Sequence, residues 1–148
     1  MGIFTIGVKD ISVTADATQD ILSVVAGSTR RVRLLGFEVT SNATSISVIS
    51  LDLHRISAVG SGGSALTVLN IDELADAATA SVRQLDTTPG ASVSNGIILA
   101  TQWPQLGPWG MMWTPETALR SKLSQGFALG IFTATAFTGS AWITWEEV

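Results

Sequence analysis

The fold is decided by residues 30–56, RRVRLLGFEVTSNATSISVISLDLHRI. This stretch contains two long runs rich in Val, Ile, Leu and Phe, Arg30–Thr40 and Ile46–Ile56, with turn residues at 41–44 between them. Runs of this composition, bounded by Ser, Asn and Gly, predict β-strands. The hydrophobic pattern of the first run changes face near Gly36, directly after two adjacent leucines, and this predicts a β-bulge or a bend.

Shorter runs of similar composition occur on both sides of this stretch. They predict further strands at Phe4–Val8, Ile11–Thr14, Ile21–Ala26, Leu66–Ile71, Gly96–Thr101, Phe127–Ala136 and Ala141–Glu146. One patch, Asp72–Ala80, has a helix-like pattern, and Asn95-Gly96 is expected to be a turn. About eight strands joined by long, glycine-rich loops predict one all-β domain over 1–148. We expect a jelly-roll-like β-sandwich with at most one short helix.

The composition indicates a chain that buries part of its surface in an assembly. Charged residues make up 14% of the sequence, and the net charge is -4, whereas an average soluble domain has about 25% charged residues. A surface of Ser, Thr, Gly and Ala suits a subunit that packs against copies or a partner better than it suits a monomer. A monomer coated in Ser and Thr is the alternative.

Several classes of function are not expected from the composition. An acidic chain lacks the basic patch of a nucleic-acid-binding protein. No run approaches the roughly 20 apolar residues that span a bilayer, so we expect no membrane partner. There are no cysteines, which rules out disulfides and thiolate metal sites.

The single histidine, His54, shares a strand face with Asp52 by the two-residue period of a strand. A Ser-His-Asp hydrolase needs an acid on one ring nitrogen and a nucleophile on the other. The sequence has no G-x-S-x-G nucleophile elbow. We therefore favour a structural pair near a rim or a subunit contact over a hydrolase that uses His54 and Asp52.

Other acidic residues have no spacing that is typical of a metal or catalytic site. The weak metal candidates are Asp72, Glu73 and Asp76 in one group and Glu146 and Glu147 in another; neither group matches a calcium-binding loop. The scattered carboxylates that a glycosidase would need are Glu38, Asp52, Glu116 and Glu146. We expect no enzyme activity, no metal and no cofactor.

Two segments of the sequence favour a protein interface as the functional site. The basic cluster at 30–33 suits an acidic partner surface or is a solvated strand start. The segment 103–115 contains three of the five tryptophans. Its side chains could close one end of the sandwich, form an interface core or bind a sugar. The candidate interface residues are Arg30, Arg31, Arg33, Trp103, Trp109, Met111 and Trp113.

Several segments together resemble small virion proteins of tailed phages. These segments are GSTRRVRLLGFEVTSNAT (Gly27–Thr44), LDLHR (Leu51–Arg55), the Trp-rich middle, GFALGIFTA and AWITWEE (Ala141–Glu147). The pattern is similar to that of the jelly-roll capsid decoration, or cement, proteins. The resemblance implies a homotrimer that binds the major capsid protein at three-fold or quasi-three-fold positions outside the head and stabilises the capsid.

Further expectations follow from this resemblance. The protein would be made in the host cytoplasm and located on the virion, and it would have no catalytic residues. Residues 1–15 could form an N-terminal arm that docks on the capsid. The alternative function is a carbohydrate- or receptor-binding jelly-roll module of a phage fibre or tail, for which the Trp-rich segment is the motivation.

Overall fold

A computed structural model describes residues 2–44, 48–71, 76–104 and 106–148. These residues form strands and loops without any helix, so none of them belongs to a helix that could cross a membrane. The strands are β1 (Gly2–Val13), β2 (Ala17–Val25), β3 (Val32–Ser41), β4 (Ile49–Ile56), β5 (Ser64–Ala65), β6 (Leu69–Asn70), β7 (Ser81–Asp86), β8 (Ser92–Trp103), β9 (Trp109–Met112), β10 (Leu119–Arg120), β11 (Gly126–Thr133) and β12 (Phe137–Glu147).

The strands form two antiparallel sheets that pack face to face. Sheet A has the order β10-β3-β12-β1-β6, with β9 also paired to β3, and sheet B has the order β5-β7-β2-β11-β4-β8. Within these sheets β1, β12, β3 and β9 face β2, β11, β4 and β8, which is the strand arrangement of a jelly roll. The prediction of an all-β, jelly-roll-like sandwich is confirmed.

The core lies between the inner faces of the two sheets. Its largest fully buried side chains are Phe4, Phe37, Phe127 and Trp145, which come from both sheets. The rings of Phe4 and Trp145 stack with their centroids 5.9 Å apart. Burial of one such side chain stabilises the fold by roughly 1.5–3 kcal/mol, so this shared core fixes the sheets to each other.

The predicted β-bulge in β3 is confirmed at Leu35. In the pairing with β12, Gly36 lies opposite Thr144 but Leu34 lies opposite Trp145, so Leu35 is the extra residue. Leu34 lies before the bulge, and Phe37 and Val39 lie after it. Because of the extra residue, all three side chains point to the same face and are buried.

The N-terminal segment differs from both expectations for it. The two predicted short strands form a single strand, β1, with an irregularity between Val8 and Ile11 where Asp10 has a φ of 54°. β1 pairs with β12 on one side and β6 on the other. Since Phe4 and Ile6 are buried in the core, residues 2–13 are an interior strand of sheet A and do not project as a docking arm.

Residues 57–91 form an insertion between β4 and β8 that contacts both sheets. β5 and β7 extend sheet B, while β6 pairs with β1 of sheet A. The sequence did not predict β7. Of the predicted helix, residues 76–80 are not helical, and 72–75 lie outside the described residues.

The turn predicted at Asn95-Gly96 is wrong. These two residues lie within β8, where the register with β4 shifts.

Candidate functional site

Trp142 lies near the middle of the outer face of sheet A. Its neighbours across the sheet are Gly7 on β1, Glu38 on β3 and, one strand further, Gly110 on β9. The indole N–H of Trp142 donates to Oε1 of Glu38 at 3.4 Å. Because the glycines have no side chains, a hollow remains on each side of the Trp142–Glu38 pair.

The two hollows differ in chemistry. The larger one, here called the Trp142 groove, has a volume of about 360 Å³ and is lined by Gly7, Val8, Lys9, Glu38, Thr40, Ser140, Ala141 and Trp142. The smaller one, of about 240 Å³, is lined by Phe37, Glu38, Pro108, Gly110, Met111, Met112 and Trp142. The larger hollow therefore offers hydroxyl groups and both signs of charge, and the smaller one is mainly apolar.

An exposed apolar surface borders the smaller hollow at the β9 edge of sheet A. We call Met111 and Met112 the β9 rim; both line the smaller hollow, and their exposed fractions are 42% and 75%. Behind this rim, Trp109 and Trp113 pack on Phe37 with ring centroids 4.9 and 5.9 Å away.

A second exposed apolar surface lies at the opposite edge of sheet A. We call Ile3, Leu69 and Ile71 the β6 rim; their exposed fractions are 42–63%. Leu69 pairs with Thr5, and the backbone N–H of Ile71 donates to the carbonyl of Ile3 at 3.1 Å. The three side chains therefore form one surface on β1 and β6, with β12 and β3 between it and the β9 rim.

The tryptophans of the predicted interface have different environments. Trp103 is 4% exposed, donates its indole N–H to the carbonyl of Gly107 at 2.7 Å and packs on Phe137. It is thus a core residue. Trp109 and Trp113 are half-buried, and only Met111 of the predicted set is a large exposed hydrophobic residue.

The predicted basic cluster is partly used within the chain. Arg30 forms an ion pair with Asp76 at 2.6 Å, and Arg33 forms one with Glu146 at 2.8 Å. Arg31 is exposed; its backbone pairs with Val148 just outside β3. Of the three arginines, Arg31 is the one whose charge is directed to solvent without an ion pair in the described part of the chain.

His54 lies between two carboxylates on the outer face of sheet B. Its Nδ1 is 2.5 Å from Oδ1 of Asp52, and its Nε2 is 3.6 Å from Oδ1 of Asp20. The sequence placed Asp52 beside His54, but Asp20 comes from β2. Gly130 on β11 pairs with both aspartates, and a Cβ at Gly130 would lie 2.7 Å from the Asp52 carboxylate. The glycine therefore provides the space for this acid–histidine cluster.

The same cluster holds the insertion against sheet B. Oδ2 of Asp20 accepts the backbone N–H of Gly90 at 2.7 Å. Beside it, Oδ1 of Asp86 accepts the N–H of Gly63 at 3.2 Å and the Nε–H of Arg83 at 2.9 Å. Buried carboxylates that accept backbone N–H groups satisfy donors that would otherwise be costly to bury.

Burial and the neighbouring charges change the protonation of the cluster. Burial raises the pKa of Asp20 to about 6, despite the opposing effects of the Gly90 hydrogen bond and His54. Burial lowers the pKa of His54, but its hydrogen bond to Asp52 and the charges of the two aspartates outweigh burial and raise that pKa above its ordinary value. The two aspartates therefore favour the charged imidazolium of His54 more than solvent does for a free histidine.

This arrangement differs from that of a hydrolase. A catalytic histidine has an acid on one ring nitrogen and a nucleophile on the other, whereas both nitrogens of His54 face carboxylates. His54 is also 6% exposed, which leaves little access for a substrate. The cluster is suited to charge pairing and to anchoring the insertion.

The other carboxylates considered as metal or catalytic candidates are separated. Glu146 is paired with Arg33, and Glu147 is buried and accepts the N–H groups of Thr79 and Ala80. Glu116 is exposed. Asp72 and Glu73 lie outside the described residues. In the part of the chain that the structure describes, no three acidic or histidine side chains converge as metal ligands.

The sequence did not single out Trp142, Asp20 or the β6 rim, and of the β9 rim it named only Met111. The sequence contains one signal for Trp142. It alternates along the strand with Ile143 and Trp145, which are buried, and it must therefore face outward.

No model of a known protein family, no curated protein and no solved structure matches this chain. Its function is therefore inferred from its own residues.

Proposed function

We propose that this chain is a virion structural protein, a capsid decoration protein that binds the outer head surface as a trimer and stabilises the capsid. The observation that carries the proposal is the pair of exposed apolar rims at opposite edges of sheet A. Together with the low charge of the chain, these rims favour a subunit that buries surface against copies of itself.

The positions of the rims favour a ring over a two-fold dimer. A two-fold interface uses the same patch on both subunits, whereas a heterologous interface joins two different patches and generates a ring when the rotation between copies closes. The β9 rim and the β6 rim are two different apolar patches. Packing the β9 rim of one copy on the β6 rim of the next uses both of them in every subunit.

The backbone at these edges supports the same geometry. Among the described strands, β9 pairs only with β3, and β6 pairs only with β1. The outer side of β9 thus has backbone N–H and C=O groups that a neighbouring copy can bond, as happens when a strand is added to a sheet edge.

Binding to the capsid would then depend on many weak contacts. A trimer that engages the major capsid protein through three copies gains avidity without requiring a tight contact at any one of them. The resemblance to cement proteins supplies this partner, and the low charge of 14% is compatible with large contact areas.

The test is the mass of the protein in solution, measured by light scattering on the wild type, Met112→Ser and Leu69→Ser. We expect three times the chain mass of 15.5 kDa for the wild type and a monomer for each variant. Phe132→Ser is the matched control, because Phe132 is an exposed hydrophobic residue on the other sheet; it should remain a trimer.

A mixture of the two rim variants distinguishes a ring from a two-fold dimer. Each variant keeps one intact rim, so the mixture should form a heterodimer that cannot close into a ring. A wild-type monomer at all concentrations, or rim variants that keep the wild-type mass, would contradict the proposed assembly.

A further inference from the structure

We propose that the Trp142 groove is a binding site for the pyranose ring of a neutral sugar. The site lies between the two rims and is separate from both of them. The inference goes beyond the proposed function, since a trimer built through the rims neither requires nor excludes a sugar on this face.

The shape of the groove comes from a missing side chain. Gly7 is exposed and lies directly opposite Trp142 in the sheet, so the space beside the indole is open from above. Its volume of about 360 Å³ falls within the usual range for ligand pockets, roughly 300–1,000 Å³. It accommodates one sugar ring more readily than a long chain.

The lining has the chemistry that a sugar ring requires. The indole of Trp142 is an apolar aromatic surface, on which the C–H face of a pyranose can pack. The Glu38 carboxylate accepts hydrogen bonds from hydroxyls, and the hydroxyls of Thr40 and Ser140 both donate and accept. Lys9, also in the lining, supplies a further donor.

The charges of the lining favour a neutral ligand. Glu38 and Lys9 are the two charged residues of the groove, and they have opposite signs. A phosphate or carboxylate ligand would meet Glu38, and a cationic ligand would meet Lys9. A polyol without net charge can hydrogen-bond to both.

The aromatic surface is held in position before a ligand arrives. Glu38 accepts the indole N–H at 3.4 Å. The far edge of the indole lies over Gly36, where a Cβ atom would be 3.3 Å away. Both contacts come from β3, which pairs with β12 on either side of Trp142, so a rigid sheet orients the ring. Sites on strands are more precise than sites on loops.

The test is a titration of the ¹⁵N-labelled protein with the methyl glycosides of glucose, galactose, mannose and N-acetylglucosamine, followed by NMR. We expect at least one of them to shift the indole N–H of Trp142 and the amide of Gly7 in a saturable manner. Trp142→Ala and Gly7→Val should each weaken this binding by about tenfold or more.

The Gly7→Val variant separates loss of the groove from loss of the fold. A Cβ at Gly7 would make ordinary contacts, 3.9 Å from Cβ of Trp142 and 4.0 Å from the carbonyl of Ala141, and valine favours strands. This variant should therefore fold, fill the groove and keep the wild-type mass. Phe132→Ala, which removes an exposed aromatic ring on the other sheet, should bind sugar as the wild type does.

The inference is overturned if none of the four glycosides shifts these two resonances. It is also overturned if the Gly7 amide shift persists in Trp142→Ala, or if the Trp142 indole shift persists in Gly7→Val. Because the rim variants are read by mass and the groove variants by NMR, failure of the sugar site and failure of the trimer are separate results.

Discussion

The ring of His54 is hydrogen-bonded to Asp52, with Nδ1 and Oδ1 2.5 Å apart. On the other side of the ring, Asp20 lies 3.6 Å from Nε2 and also accepts the N–H of Gly90. The single histidine is therefore part of the contact between the 57–91 insertion and sheet B, and the charge state of this contact depends on pH.

The first prediction concerns the dependence of stability on pH. The folded-state pKa of Asp20 is raised from 3.8 to about 6, so the folded state binds this proton more tightly than the unfolded state does. The protonated Asp20 therefore stabilises the folded state at pH 4 and below. This stabilisation, on the order of 3 kcal/mol, is lost as the pH rises to 6. The pKa of His54 is also raised in the folded state. Its contribution to the unfolding free energy is therefore also lost as the pH rises, in this case above pH 6.5.

The measurement is urea unfolding between pH 4 and 8 for the wild type and Asp20→Asn. The unfolding free energy of the wild type relative to that of the variant should fall as the pH rises from 4 to 6. If the difference between the two proteins is constant over this range, Asp20 does not have a raised pKa.

The second prediction concerns local opening of the insertion. Asp20→Ala removes the acceptor of the Gly90 N–H. The Gly63 N–H donates to Asp86 instead, so it keeps its acceptor in this variant. Hydrogen exchange at Gly90 should therefore accelerate by about tenfold or more, for a lost buried hydrogen bond of roughly 1–3 kcal/mol. Amides of β12 serve as the internal control. Equal acceleration at β12 would show that the variant lowers global stability instead.

The third prediction compares two glycines in strands. A Cβ at Gly126 would lie 1.7 Å from the carbonyl of Val24, while a Cβ at Gly7 meets only ordinary contacts. Gly126→Ala should thus cost about 3 kcal/mol or more, because backbone cannot move aside easily, and Gly7→Ala should change stability by less than about 0.5 kcal/mol. Urea midpoints of the two variants measure this difference, and similar midpoints would contradict the close packing of β11 on β2.

The fourth prediction ranks two tryptophans of the segment 103–115. Trp103 is buried and hydrogen-bonded, so Trp103→Ala should cost about 3–5 kcal/mol. Trp113 is half-buried against Phe37, and Trp113→Ala should cost less in the monomer. Thermal unfolding of both variants tests this order. The reverse order would mean that Trp113 is the more important packing residue.

Local patterns were sufficient to predict much of the fold. The long runs at 30–40 and 46–56, the bulge near Gly36 and the shared face of Asp52 and His54 all follow from the two-residue period of a strand. The strands that were missed depend on distant partners. β5 and β10 have two residues each, and the polar Arg83 and Asp86 obscure the pattern of β7.

The candidate sites were harder to predict for the same reason. Asp20 reaches His54 because β2 and β4 flank β11, and no local pattern contains that topology. The Trp142 groove and the two rims exist because residues from β1, β3, β6, β9 and β12 lie side by side in sheet A. Composition located the tryptophans in 103–115, but the sequence alone did not distinguish a core residue such as Trp103 from a surface residue.

The most direct test of the proposed decoration function is binding to capsids. Under this proposal the chain would come from a phage, and heads of that phage assembled without the chain would be mixed with the purified protein and imaged by electron cryo-microscopy. The proposal predicts added density on the outer surface at three-fold or quasi-three-fold positions, in the form of three β-sandwiches. Heads that show no added density with an excess of folded trimer would contradict it.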